Sequence, residues 1–326
     1  MEIPRRVLIT DDVHPHLIAA LEAHDYECDY QPNTTDAQTR AAIAPYTGLI
    51  INSKINVDTT MLERAANLRW VGRLGSGLEI IDRLAATRHG VSVYSSPEGN
   101  AGAVGEHALG LLLGLANNLA RADRQVRQFD WQREANRGWE LRGKTIGVIG
   151  MGHTGSSLVR KLAGLEMQVL TYDKYLPKGY LATHRHIPPA LHAIGFMKET
   201  TMQDIFDTAD IVSLHLPLTT ETRHLANAGW MAAFQKPFVL LNTSRGQVVD
   251  TAALIKNLGS GKILAAGLDV FENEKPTTFT DTERAMYSAL YSFDNVLLTP
   301  HVAGWTRESK QLLAEVLAQK ILHDFP

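Results

Sequence analysis

Along the whole chain, short β-branched apolar runs alternate with amphipathic segments whose apolar positions repeat at helical spacing. In the first third this pattern predicts strands at 7–10, 26–30, 48–52, 68–71 and 91–94, with helices at 16–23, 36–44 and 59–66. A second set follows Lys144, with strands at 145–149, 168–172, 211–214, 239–242, 264–268 and 296–298 and a final helix at 307–323. Near-continuous apolar strands separated by helices imply parallel sheets covered on both faces. The expected fold class is therefore α/β, with doubly wound parallel sheets in both halves.

Two stretches interrupt the alternation. Between the two sets lies a long helix candidate at 101–121, rich in Ala, Leu and Gly. A polar stretch at 122–142 follows, carrying Trp131 and Trp139, and reads as an arm over the surface or onto a second subunit. Segment 174–201 is long for a connection between a strand and a helix. It holds Pro177, Gly179, His184, His186, Pro188, Pro189 and His192. Three histidines raise the thought of a metal site, but no carboxylate or cysteine set accompanies them at ligand spacing, so a solvated insertion is expected and no metal.

Composition narrows the class without naming the chemistry. At 326 residues, two domains are the default, and 44% apolar with 21% charged residues is ordinary for a soluble globular protein. A formal net charge of -3 gives no electrostatic reason to expect nucleic acid or an anionic membrane as partner. The longest apolar stretch, 108–116, contains Gly110 and Gly114 and is about half of what a membrane span needs. The first residues are too short and too polar a lead for a signal peptide. Cys28 is the single cysteine, set among Asp25, Glu27 and Asp29, which disfavour a thiolate. A reduced, cytoplasmic setting fits.

Gly150-Met151-Gly152-His153-Thr154-Gly155 follows the strand at 145–149 and opens the amphipathic segment 156–165. This is G-x-G-x-x-G in the strand–turn–helix setting that a dinucleotide site requires. Gly150 permits the tight turn, Gly152 lets a pyrophosphate approach the backbone, and Gly155 allows helix and strand to pack closely. The helix N-terminus then offers free N–H groups to the phosphates. Asp173 ends the next strand, about 20 residues past the turn, where an acid binds the adenosine ribose hydroxyls. A carboxylate there repels a 2′-phosphate and favours NAD over NADP, although Lys174 beside it weakens that inference.

Three predicted strands in the last third end in capable residues: Asn242-Thr243-Ser244-Arg245-Gly246, Leu268-Asp269-Val270-Phe271-Glu272-Asn273-Glu274, and Thr299-Pro300-His301. Ligands of open α/β sheets bind beyond the carboxyl ends of the strands, so Arg, Glu and His at three such ends can converge. Reducing a ketone requires a proton donor at oxygen as hydride arrives at carbon. Histidine suits that task, a carboxylate beside it would orient the ring, and an arginine can hold a substrate carboxylate by paired hydrogen bonds.

With these motifs and Leu214-His215-Leu216-Pro217-Leu218-Thr219, the chain resembles the D-isomer-specific 2-hydroxyacid dehydrogenases over essentially its whole length. That family includes phosphoglycerate, glycerate, D-lactate and formate dehydrogenases, and the phosphoglycerate or hydroxypyruvate branch is the nearer likeness. The resemblance implies catalytic roles for Arg245, Glu274 and His301. It implies cofactor contacts from Gly150, Gly152, His153, Thr154, Gly155, Asp173, His215, Leu216, Pro217, Thr222, Thr243 and Ser244, with Asp269 holding the nicotinamide amide. Gly72-Arg73-Leu74-Gly75-Ser76-Gly77 resembles the family's substrate loop, where Ser76 and Gly77 would receive the substrate carboxylate. The chain departs just after it, with Glu79-Ile80 where the family commonly has Asp-Asn. Lys54 stands where the family often places a cation near the substrate.

The resemblance further implies a flavodoxin-like substrate domain at 1–98 plus 300–326 and a Rossmann NAD-binding domain at 99–299 inserted within it. Hinge-like connecting helices, a homodimer contact through the arm, and no added regulatory domain after the final helix complete the expectation. The expected activity is hydride transfer between NAD and C2 of a small D-2-hydroxy or 2-keto acid, possible substrates being 3-phosphoglycerate and hydroxypyruvate or glycerate. An NAD-sensing, corepressor-like interaction protein on the same fold is the alternative, and NADPH in place of NADH is a second.

Overall fold

The structure is a computed structural model describing residues 5–193 and 195–326; the side chains of His192 and Ala193 lie outside the described set. The chain divides into two compact units, the described residues up to Gly102 together with Trp305–Pro326, and Ala103–Gly304. Expected junctions at 98/99 and 299/300 fall a few residues short of these. The start of the helix Pro97–Ala116 stays with the first unit, and the loop carrying His301 stays with the second.

In the first unit, β1 (Arg6–Ile9), β2 (Glu27–Tyr30), β3 (Gly48–Ile51), β4 (Trp70–Arg73) and β5 (Ser92–Ser95) form one sheet in the order β2-β1-β3-β4-β5. All pairs are parallel. This 2-1-3-4-5 order is the flavodoxin-like arrangement. Burial explains the continuous apolar runs: every residue of Gly48–Ile51 is buried. Gly48 pairs with Trp70, and a Cβ at Gly48 would lie 2.2 Å from the indole, so only glycine lets that ring lie against the strand. The C-terminal helix Arg307–Asp324 packs Leu317 and Ile321 into the same core as Ile50 and Trp70. Its start is fixed by a capping box between Thr306 and Ser309.

In the second unit, β6 (Thr145–Ile149), β7 (Gln168–Tyr172), β8 (Met197–Glu199), β9 (Ile211–Leu214), β10 (Phe238–Asn242), β11 (Ile263–Leu268) and β12 (Val296–Leu298) run in the order β12-β11-β10-β9-β6-β7-β8. Every pair is again parallel. Counted from its own first strand this is the Rossmann order 3-2-1-4-5-6 with a seventh strand added. Connectivity reverses at the β6/β9 boundary, the place where such sheets take their ligand.

Two expectations are corrected. The helix expected at 101–121 begins at Pro97 and stops at Ala116; Asn118 turns left-handed (φ 53°), and a separate helix covers Leu119–Arg127. Asparagine tolerates that conformation where most side chains clash. The segment 174–201, expected as a solvated insertion, holds short helices at Tyr180–Thr183 and Pro189–Ala193 and the edge strand β8. β8 is three residues long and nowhere buried, so it carries no apolar run for a sequence pattern to reveal. Among the described residues no helix is long and apolar enough to cross a membrane.

Candidate active site

The glycine turn joins β6 to the helix His153–Leu162. Gly150 sits at φ 95°, and a Cβ there would lie 2.3 Å from the His215 carbonyl oxygen; one on Gly155 would lie 1.9 Å from the Gly150 carbonyl oxygen. These two glycines are demanded by packing. Gly152 differs, because nothing lies within 4 Å of its Cβ position, so the backbone faces open space there. The helix cap at Gly152 has no side-chain hydrogen bond, leaving its first N–H groups to an outside acceptor. Asp173 lies against the same turn, its Oδ2 accepting from Met151 N at 2.9 Å and its Oδ1 from Tyr175 N at 2.9 Å.

The neighbouring strand ends complete this face. His215 is fully enclosed, with Nε2 2.8 Å from Ser213 Oγ and Nδ1 3.3 Å from Thr154 Oγ1, and burial pushes its imidazole down to about 4, so it is neutral at physiological pH. Leu216 follows it against Gly150. The loop beyond is closed by Thr222, whose hydroxyl donates to the Pro217 carbonyl at 2.6 Å. Ser244 Oγ donates to Asn242 Oδ1 at 2.7 Å, whereas the buried Thr243 Oγ1 has no hydrogen-bond partner. A buried orphan hydroxyl is costly unless a ligand supplies its partner. Together with the open backbone at Gly152, it makes this face fit a bound dinucleotide.

Arg245, Glu274 and His301 belong to the same unit and leave the ends of β10, β11 and β12. His301 Nδ1 lies 2.7 Å from Glu274 Oε2. An ionised carboxylate can only accept, so Nδ1 carries the proton and the distal Nε2 is left for exchange. Glu274 Oε1 accepts from Phe271 N at 3.2 Å. Burial works to raise the Glu274 carboxyl. The hydrogen bond and charge of His301, the Phe271 N–H and the Arg245 charge outweigh it, holding the carboxyl below the ordinary glutamate range. Arg245 Nη1 donates to the Ser244 carbonyl at 2.7 Å, and Asn242 Nδ2 donates to the Arg245 carbonyl at 2.9 Å, so strand end and arginine are braced together.

Asp269, expected to hold a nicotinamide amide, has a prior engagement. Its side chain is fully buried and accepts from Thr299 Oγ1 (2.6 Å), Val302 N (2.9 Å) and Ala303 N (2.8 Å). The carboxylate thus shapes the loop that presents His301, itself left-handed at φ 55°.

The substrate candidates Lys54, Ser76 and Gly77 belong to the first unit. Gly75, at φ 139°, bends the loop, its N–H meeting Ser96 Oγ at 3.4 Å, and Ser76 Oγ donates to Asn100 Oδ1 at 3.1 Å. Lys54 Nζ donates to the Pro32 carbonyl at 2.5 Å and lies 4.0 Å from Asp11 Oδ1, so part of its charge is already used within the fold.

Sequence reasoning missed three supports. His107 Nε2 lies 2.9 Å from Thr299 Oγ1; that hydroxyl gives its proton to Asp269, so His107 donates. His224 Nε2 lies 2.8 Å from Glu272 Oε2, and Tyr287 Oη accepts from Asn273 N at 2.9 Å. These contacts span up to 192 residues of chain, and no local pattern announces them. Among the described residues no group of three or more His, Cys, Asp or Glu side chains could hold a metal ion. Burial, with Glu22 adding to it, pushes the Cys28 thiol up to about 11.

The family description "D-isomer specific 2-hydroxyacid dehydrogenase, NAD binding domain" matches residues 109–303. A D-3-phosphoglycerate dehydrogenase of Archaeoglobus fulgidus is 31% identical over 98% of this chain, which spans only 57% of that relative's length. A hydroxypyruvate reductase of Thermotoga maritima is 33% identical over 85% of this chain and 84% of its own length. The solved pyruvate reductase of Chlamydomonas reinhardtii superposes with a TM-score of 0.78 at 28% identity, covering 98% of this chain and 96% of that one.

Proposed function

Because the chain belongs to the D-isomer specific 2-hydroxyacid dehydrogenase family, we propose that it is an NAD-dependent oxidoreductase interconverting a small D-2-hydroxy acid and its 2-keto acid. The observation that carries the reading is the 2.7 Å contact between His301 Nδ1 and Glu274, a carboxylate that also feels Arg245.

NAD is the cofactor this domain takes; when bound, its nicotinamide supplies or accepts the hydride. His301, with Nδ1 anchored on Glu274, gives the Nε2 proton to the carbonyl oxygen during reduction and takes it back during oxidation. Glu274 keeps the ring in the tautomer and charge state that this exchange needs. Arg245 binds the substrate carboxylate and polarises the carbonyl. The turn Gly150–Gly155, with His153 and Thr154, receives the pyrophosphate. Asp173 takes the adenosine ribose, and His215, Leu216, Pro217, Thr222, Thr243 and Ser244 line the cofactor. Asp269 fixes the loop that presents His301 and accepts from the carboxamide with its remaining lone pairs.

The first unit is the substrate domain, in which Ser76 and Gly77 bind the acid's carboxylate and Lys54 adds positive potential. The substrates best supported are hydroxypyruvate or glycerate and 3-phosphoglycerate, the acids of the two relatives. Helix Leu119–Arg127 buries none of its residues, and Phe129 and Trp131 are 94% and 71% exposed, which supports a homodimer closed through this arm. The single, unpaired cysteine supports a cytoplasmic location.

The test is NADH oxidation against a panel of 2-keto acids, with NADPH in parallel, for the native chain and His301→Ala. Turnover of at least one acid, preferring NADH and nearly abolished by the substitution, is the expected result. Tight NADH binding without turnover on any acid would replace the enzyme by a dinucleotide-sensing interaction protein.

A further inference from the structure

We propose that the pocket between Arg160 and residues 182–189 is a second anion site, built for a phosphate monoester. The pocket is an open concavity of about 540 Å³, within the size range of small-molecule sites. Arg160, His184, Arg185 and His186 line it, and no carboxylate does. Arg160 is half-buried and donates to the His186 carbonyl, and desolvation alone pushes its guanidinium below the ordinary arginine range. Among the described residues neither Arg160 nor Arg185 makes an ion pair. Two guanidiniums lining one concavity, one of them half-buried, are unfavourable unless an anion offsets them. Ile187, Pro188 and Pro189 supply an apolar wall for the organic part of an ester.

The imidazoles argue against a metal cation as occupant. Arg185 Nε points at His186 Nε2, 3.2 Å away, so that nitrogen is already an acceptor. The groups facing His186 are His153, whose ring centroid is 4.3 Å away, His184 at 5.5 Å, and the two arginines. Burial first, and then these four neighbours, hold His186 down at about 4. A doubly charged oxyanion among them offsets the positive charge of the two arginines and favours protonation of the neighbouring imidazoles.

His153 also belongs to the glycine turn, so the pocket adjoins the place proposed for the dinucleotide pyrophosphate. The phosphate monoester therefore has two possible sources, a free ester or the 2′-phosphate of NADPH.

Calorimetric titration of the full-length chain with inorganic phosphate reads the pocket without any turnover, and so independently of the dehydrogenase assignment. One saturable site per chain is expected, weakened about tenfold by Arg185→Gln, an exposed residue whose loss leaves the core intact, and similarly by Arg160→Gln. Lys310→Gln, remote in sequence and paired with Asp12, controls for general charge and leaves the site unchanged. Fluorescence titration separates the sources. If Arg185→Gln weakens NADPH about tenfold and spares NADH, the 2′-phosphate is the ligand; if both dinucleotides respond alike while phosphate binding weakens, a free ester is. The proposal is overturned when neither phosphate nor NADPH distinguishes Arg185→Gln from the native chain, or when Lys310→Gln weakens phosphate as much.

Discussion

Two imidazole–carboxylate pairs lie on one short segment of the second unit, and they are nearly the same object. His224 meets Glu272 at 2.8 Å and His301 meets Glu274 at 2.7 Å, and both histidines are left-handed, at φ 50° and 55°. The difference is which end of the ring is held. Glu274 takes Nδ1 of His301 and leaves the distal Nε2 without a carboxylate, whereas Glu272 takes the distal Nε2 of His224 and leaves only Nδ1, the ring nitrogen nearer the backbone. The far oxygen of Glu272 also accepts from Thr251 N at 2.9 Å, in the first turn of helix Thr251–Gly259. One pair presents a proton; the other ties a loop to a helix. Proximity of the two side chains is therefore a poor guide to catalysis, and ring polarity a better one.

The sharpest way to break this contrast is to remove each imidazole in turn. His301→Asn should lower kcat/KM by about 10² to 10⁴, the usual worth of a positioned acid–base group. His224→Asn should cost no more than roughly tenfold, because it perturbs only the support. Steady-state rates with NADH and the best 2-keto acid decide the matter, and equal losses would dissolve the distinction.

His215 extends the comparison to an imidazole with hydroxyl partners and no carboxylate. Its folded value of about 4 lies below the ordinary 6.5. The unfolded chain therefore takes up the proton first, so the stability His215 contributes is complete above pH 6.5 and is lost as pH falls toward 4. At 1.36 kcal/mol per pKa unit this amounts to about 3 kcal/mol. Urea unfolding across that window should show the decline, and His215→Gln should flatten it.

How far these roles could be read in the sequence depends on the distance over which each is encoded. The glycine turn is local: Gly150, Gly152 and Gly155 are each explained by an atom, or an empty space, within a few ångströms. Strand ends are nearly local, since the apolar runs of β10, β11 and β12 give way to polar residues at their carboxyl ends, and Arg245, Glu274 and His301 follow within a few residues. Ring polarity is not local. Nothing near His224 or His301 says which nitrogen a carboxylate will meet 48 or 27 residues away. β8 and the break at Asn118 escaped for a simpler reason, because a half-exposed edge strand and a single left-handed residue leave no periodic trace.

Removing the carboxylates should separate stability from rate. Glu272→Ala strips acceptors from both His224 and Thr251 N and should cost about 2 kcal/mol of unfolding free energy with a modest fall in rate. Glu274→Ala, at a side chain 37% exposed, should leave the urea midpoint nearly unchanged while lowering kcat. A large stability loss at Glu274 with little effect on rate would reverse the assigned roles.

The smallest expected effect tests whether the pairs are independent. Asn273 stands between Glu272 and Glu274, and its N–H is held by the Tyr287 hydroxyl at 2.9 Å. Tyr287 is buried among Phe271 and Phe279, so Tyr287→Phe keeps the ring packing and removes only the acceptor. The cost should be about 1 kcal/mol, the usual net worth of one hydrogen bond. If the two carboxylates share a rigid segment, stability and kcat both fall slightly, and Glu272→Ala combined with Tyr287→Phe loses less than the two changes added. If the losses simply add, each pair holds its own geometry and the segment between them transmits nothing.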